Sequence, residues 1–127
     1  MGTVLLNDGA PGFHLEISDE IEDGRYAQVK LRSNLGQATR KVYSLDLRKL
    51  IAELEVLNRT LTGAVEMVAR EYDFMMRFEM KSLGKLQIEA KLTDHLSESE
   101  FRAVGEFDQS YLPTFLREAR QLSLVSD

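Results

Sequence analysis

Apolar and polar residues alternate strictly over two adjacent stretches in the second half of the chain. Phe74, Met76, Phe78 and Met80 fall on one side, and Met75, Arg77, Glu79 and Lys81 on the other; then Leu86, Ile88, Ala90 and Leu92 oppose Gln87, Glu89, Lys91 and Thr93. A period of two with one greasy side marks a strand half-buried on a core. Ser82 to Lys85 form a short link in which Gly84 can take positive φ, so the pair predicts an antiparallel hairpin. A slip of one residue would turn a charged row inward, which specifies the register. Phe101, Ala103, Gly105 and Phe107 continue the apolar face after a polar loop over 94–99. Leu112, Phe115, Leu116, Ala119 and Leu122 then recur at helical spacing and predict a helix over about 110–122. Pro113 is harmless only in a first turn, which makes Ser110 the N-cap in preference to Asp108.

Earlier in the chain the same two periods recur. Val4, Leu5 and Leu6 suggest a short edge strand, Phe13 to Ser18 alternates, and an acidic turn over 19–24 leads to a second alternating run, Arg25 to Arg32. Asn34 and Gly36 mark a turn before a strand containing Thr39, Lys41, Val42 and Tyr43. Leu47, Leu50, Ile51, Leu54, Leu57 and Leu61 predict a helix over about 45–61, with Ser44 or Asp46 to cap it and Gly63 to stop it. Ala64 to Ala69 alternates again. The reading is a single α+β domain over 1–127: a largely antiparallel twisted sheet of about 6–8 strands with two helices packed on it, in the order β-β-β-α-β-β-β-β-α.

Composition narrows the function. The chain has no cysteine, which excludes disulfides, thiolate metal sites and thiol nucleophiles and suits a reducing cytoplasm. No leader or membrane span is predicted. The net charge of −5 is unevenly spread: residues 1–24 carry six acids and no Lys or Arg, whereas residues 25–49 carry seven bases against Asp46. Pairing of these charges across neighbouring strands is the simpler reading, and the overall acidity argues against a nucleic-acid partner. A phosphate-binding patch between Arg25 and Lys49 is the competing one.

Candidate chemistry is sparse. His14 and His95 lack the spacing of a metal-ligand pair, and the run Asp19, Ile21, Asp23, Gly24 has an apolar third position and Lys30 at the twelfth, which defeats a calcium loop. No nucleophile elbow, phosphate loop or dinucleotide fingerprint occurs. The expectation is a protein with no catalytic residues, cofactor or metal. Met67, Met76 and Met80 fit the inward pattern, but Met75 stands on the polar face, where with Tyr72 or Tyr111 it would nucleate a contact patch.

The run from Tyr43 to Leu122 resembles the WapI-type immunity proteins of bacterial polymorphic toxin systems. The resemblance rests most on GEFDQSYLPTFL, from Gly105 to Leu116, and on LTG, from Leu61 to Gly63, at the end of the first helix. It implies a small cytoplasmic protein that neutralises a cognate toxin domain by covering its active site. An acidic surface would speed encounter with a basic nuclease. The candidate partner-binding residues are accordingly Asp19, Glu20, Glu22 and Asp23 in the acidic turn, with Met75 and Tyr111. The alternative is a small-molecule-binding domain or an enzyme using a pocket between sheet and helices.

Overall fold

A computed structural model describes residues 3–7, 13–21, 25–34, 36–69, 71–94 and 96–122, with backbone alone at 3–7, 20 and 21. Its elements repeat one theme: β1 (Thr3–Asn7), β2 (His14–Ile21), β3 (Tyr26–Ser33) and β4 (Gly36–Tyr43) lead into α1 (Ser44–Thr60), and β5 (Ala64–Val68), β6 (Phe74–Lys81), β7 (Lys85–Asp94) and β8 (Ser99–Asp108) lead into α2 (Tyr111–Ala119). The strands form two four-stranded sheets, β1-β2-β3-β4 and β5-β6-β7-β8. Every pairing is antiparallel between neighbours in sequence. The expected α+β order holds, including the edge strand at Val4–Leu6. What the pattern did not show is the division into two sheets, with α1 lying mainly against β5 of the second sheet and α2 against β1 of the first.

The inner faces are those that the alternation picked out. Leu15, Ile17, Val29 and Leu31 from the first sheet share one buried cluster with Phe74, Met76, Phe78, Ile88 and Phe107 from the second. Leu47, Leu50, Leu54 and Leu57 enter that cluster from α1, and Leu112, Phe115, Leu116 and Ala119 from α2. Phe78 meets Phe115 at 5.6 Å between ring centres, so α2, which lies beside β1 of the first sheet, also reaches the inner face of the second. Phe13 crosses between sheets to an edge-on contact with Phe107 at 5.8 Å. Where the two sheets approach, Arg40 of β4 donates to the Thr93 carbonyl at 3.1 Å and lies 3.9 Å from Asp73.

Helix ends differ in detail from expectation. The N–H of Ser44 is satisfied by the Arg25 carbonyl at 2.8 Å, so α1 begins after Tyr43 without a side-chain cap. It ends on Leu61, itself left-handed at φ 57°, before Gly63 is reached. Pro113 is the third residue of α2, as required, and Ser110 precedes the helix. Ser110 is the N-cap residue but no side chain caps α2; instead Asp108 Oδ2 takes the Ser110 N–H at 3.1 Å and also its hydroxyl, just ahead of the helix. Those two bonds, hydroxyl first, hold the Asp108 carboxyl below its ordinary 3.8. A depressed carboxyl contributes stability that is present above its unfolded pKa and lost as pH falls through the folded one. Asp108→Ala should therefore lower the urea midpoint at neutral pH, and the gap to the native chain should close as pH drops below 3.8.

The β6–β7 link contains Gly84 at φ 71°, as the hairpin requires, but also Leu83 at φ 62°. Leu83 is 94 % exposed, so no packing repays its left-handed backbone. That conformation costs a side chain with a Cβ about 1–2 kcal/mol, and asparagine tolerates it best. Leu83→Asn should raise stability by roughly 1 kcal/mol, read as a higher urea midpoint.

Candidate functional site

The residues expected to bind a partner lie in three separate places. Asp19 is not on the surface: β2 runs on past Ser18 to Ile21, Asp19 shares the inward parity of Leu15 and Ile17, and it is only 3 % exposed. This corrects the reading of an exposed acidic turn beginning at Asp19. Glu20 belongs to the same strand, and Glu22 and Asp23 lie outside the described residues, as does His95. Met75 is half-buried on the outer face of the second sheet, between Val68 and Lys91 in register. Tyr111 opens α2 and packs against Phe107 at 5.0 Å.

A cluster that the sequence reading did not assemble sits at one end of the first sheet. Tyr26 and Tyr43 are register partners on the outer face, with ring centres 4.8 Å apart. The ammonium of Lys41 stands 4.5 Å over the Tyr26 ring. The Tyr43 hydroxyl reaches Glu71 Oε1 at 3.4 Å, which brings the 71–73 turn to the same end. Hydrogen bonding and charge coupling with Tyr26, then burial and the Glu71 carboxylate, push Tyr43 above its ordinary value of 10. Tyr72, next in that turn, is left-handed at φ 60° and 73 % exposed. The signal was available: Tyr26 and Tyr43 occupy wet positions of alternating strands, where tyrosine has no core to fill. Only the β3–β4 register and the long-range turn contact bring them together.

The outer faces of the two sheets differ in charge. On the second sheet Arg77 meets Glu66 and Glu79, Lys81 meets Glu79, Lys91 meets Glu100, and Arg102 meets Glu89. On the first sheet the rows run His14–Arg32–Gln37, Glu16–Lys30–Thr39 and Ser18–Gln28–Lys41. Glu16 faces Lys30 in register, yet its carboxylate lies 3.7 Å from His14. Among the described residues, neither Lys30 nor Arg32 is in an ion pair.

Hollows are open and small. One of about 310 Å³ lies between the helices over Ile51, Ala52 and Ala119, with Arg48, Glu55 and Arg120 around it. Another, of about 190 Å³, separates α1 from β5 beside Asp46, Glu53 and Glu66. A third of about 320 Å³ is lined by Gln28, Thr39, Arg40 and Lys41. Among the described residues no three His, Asp or Glu groups gather to hold a metal, every buried polar side-chain atom has a partner, and no helix is long and apolar enough to cross a membrane.

Comparison with known protein families and with curated proteins finds no match. Among solved structures, the chain is similar in fold to Trypanosoma brucei MRP1/MRP2, with a TM-score of 0.57 at 12% identity over 94% of this chain and 80% of that one. At that identity the likeness is one of architecture: it places the twice-repeated arrangement of four strands and a helix among known folds.

Proposed function

We propose that this chain is a non-enzymatic protein-binding module acting in the cytoplasm, an immunity protein that covers the active site of a cognate toxin domain. The observation that carries the reading is the tyrosine-rich end of the first sheet. Tyr26, Tyr43 and Tyr72 offer broad amphipathic area at low entropic cost, and tyrosine is enriched at the centres of protein interfaces. Glu71 and Lys41 provide a charged rim. Glu22 and Asp23 precede Tyr26 by only a few residues in the chain, so acidic residues stand close in sequence to the aromatic ones. The resemblance of residues 43–122 to WapI-type immunity proteins supplies the kind of partner.

The experiment is co-purification and calorimetry with the terminal domain of any large secreted protein encoded immediately upstream. Tyr72→Ala and Tyr43→Ala should each weaken that complex by at least about 2 kcal/mol, the cost of losing an interface hot spot. Reversing Glu20, Glu22 and Asp23 should slow association in a salt-dependent manner, because peripheral charge acts mainly on encounter. A complex that forms with unchanged affinity in both tyrosine variants would remove this surface from the interface. Failure of the toxin domain to bind the native chain would sink the immunity reading itself.

A further inference from the structure

We infer that strand β8, at the open edge of the second sheet, pairs antiparallel with β8 of a second copy of this chain, an interface separate from the one proposed for a toxin. In an antiparallel ladder, successive residues turn their N–H and C=O groups alternately toward the neighbouring strand and away from it. Gln109 donates to the Gly84 carbonyl at 2.8 Å, one step beyond the Lys85–Asp108 pair. Phe107, Gly105 and Ala103 therefore bond to β7, while Glu106, Val104 and Arg102 present their backbone groups to the outside. Among the described residues nothing bonds to those outward groups. The other edges have neighbours of their own: α2 lies beside β1, α1 lies beside β5, and on β4 the Arg40 guanidinium donates to the Thr39 carbonyl at 2.8 Å. A bare edge is a template for another strand, and chains commonly blunt it with proline, a bulge or a cover. β8 runs for 10 residues without proline, and its register with β7 is unbroken from Asp108 to Ser99.

The occupant follows from the order of charges. About a two-fold axis through Val104, that residue meets its own copy, Arg102 meets Glu106 of the second copy, and Glu106 meets Arg102 of the second copy. All three have outward backbone groups, so each pair also exchanges N–H···O bonds. Opposite charges directly across a ladder stabilise the pairing. Glu106 is suited to the role, because among the described residues it makes no ion pair or hydrogen bond. Arg102 reaches Glu89 through Nε, which leaves the terminal nitrogens of its guanidinium for a second carboxylate. The end rows set Glu100 against Asp108, and each has a lysine on β7 to offset the repulsion: Lys91 lies 3.3 Å from Glu100, and Lys85 stands opposite Asp108 in register. A shift of two residues one way would bring Glu100 onto Glu106. The opposite shift would set Val104 against Glu106 and Arg102 against an Asp108 already held by Ser110. The charges thus favour one alignment.

The test is sedimentation velocity on the full chain from about 5 to about 500 μM, a range that brackets the weak dimer expected of a small edge-to-edge contact. The native chain should pass from monomer to dimer. Glu106→Arg places like charges at both pairs and should weaken the dimer by at least about tenfold, and Arg102→Glu should do the same. Mixing these two variants restores opposite charges at both pairs, so the mixture should associate more strongly than either variant alone. Val104→Pro removes an outward N–H, leaves the β7 ladder intact and should keep the chain monomeric. Circular dichroism checks that each variant is folded. Three results would each overturn the inference: a native chain that is monomeric throughout, a dimer of undiminished strength in Glu106→Arg, or folded charge variants whose mixture associates no better than its components. A monomeric native chain whose toxin complex is weakened by Val104→Pro would assign the edge to that partner instead. If self-association fails while the toxin domain still binds, the protein-binding reading stands untouched; a dimer without toxin binding would leave the inference standing alone.

Discussion

Phe78→Ala is expected to destabilise the fold by about 3–5 kcal/mol, the range for emptying a fully buried aromatic site. Phe78 is inaccessible to solvent, sits between Val65 and Ile88 in the register of the second sheet, and packs on Phe115 of α2. Truncation removes the ring through which the second sheet meets α2, and neither neighbour can collapse into the space without breaking ladder bonds. Domains of this kind have about 5–15 kcal/mol in total, so the loss is a large fraction of it. Urea unfolding followed by circular dichroism should show the midpoint falling with little change in slope. Phe78→Leu, which refills most of the volume, should recover more than half of the loss. An alanine variant within about 1 kcal/mol of the native chain would mean that Phe78 does not pack on α2.

The strands were legible because a strict period of two survives wherever one face is dry and the other wet. From Phe74 to Leu92 every expected inward residue is buried or packed against the core. The helices were legible for the matching reason, and Pro113 located the start of the second to within a residue, although it ends at Ala119, short of the expected Leu122. Two things were not. The division into two sheets depends on which edges stay unpaired, and no local pattern records that β4 and β5 part company across α1. Arg40 shows the difficulty: its position on an inward parity looks like a defect until its bonds to Thr93 and Asp73 of the other sheet are seen. Asp19 was misplaced because a charged side chain reads as turn, whereas strand parity carries it inward. The tyrosine pair was hidden for a third reason, since Tyr26 and Tyr43 meet only through the β3–β4 register, and Glu71 reaches Tyr43 only through the tertiary fold.

The conservation of one inward parity across both sheets has a further consequence at Gly105, where the apolar face of β8 carries no side chain. A Cβ built there would lie 2.8 Å from Cγ of Phe13 and 3.0 Å from its Cβ, and 2.9 Å from the ring edge of Phe107. The ring edge of Phe107 can swing aside, but the stem of Phe13 cannot, because it is fixed to the chain entering β2. Gly105→Ala should therefore cost about 1–3 kcal/mol by overpacking, despite the backbone entropy that alanine ordinarily saves in a strand. The sign should change when the obstruction is removed. In a Phe13→Ala background, itself destabilised by about 3–5 kcal/mol, the alanine at 105 would fill part of the vacated space and become neutral or stabilising. A double-mutant cycle measured by urea unfolding reads this directly as a coupling of at least about 1 kcal/mol between the two positions. Equal costs in both backgrounds would show that Phe13 does not rest on β8, and with it would go one of the contacts between the two sheets.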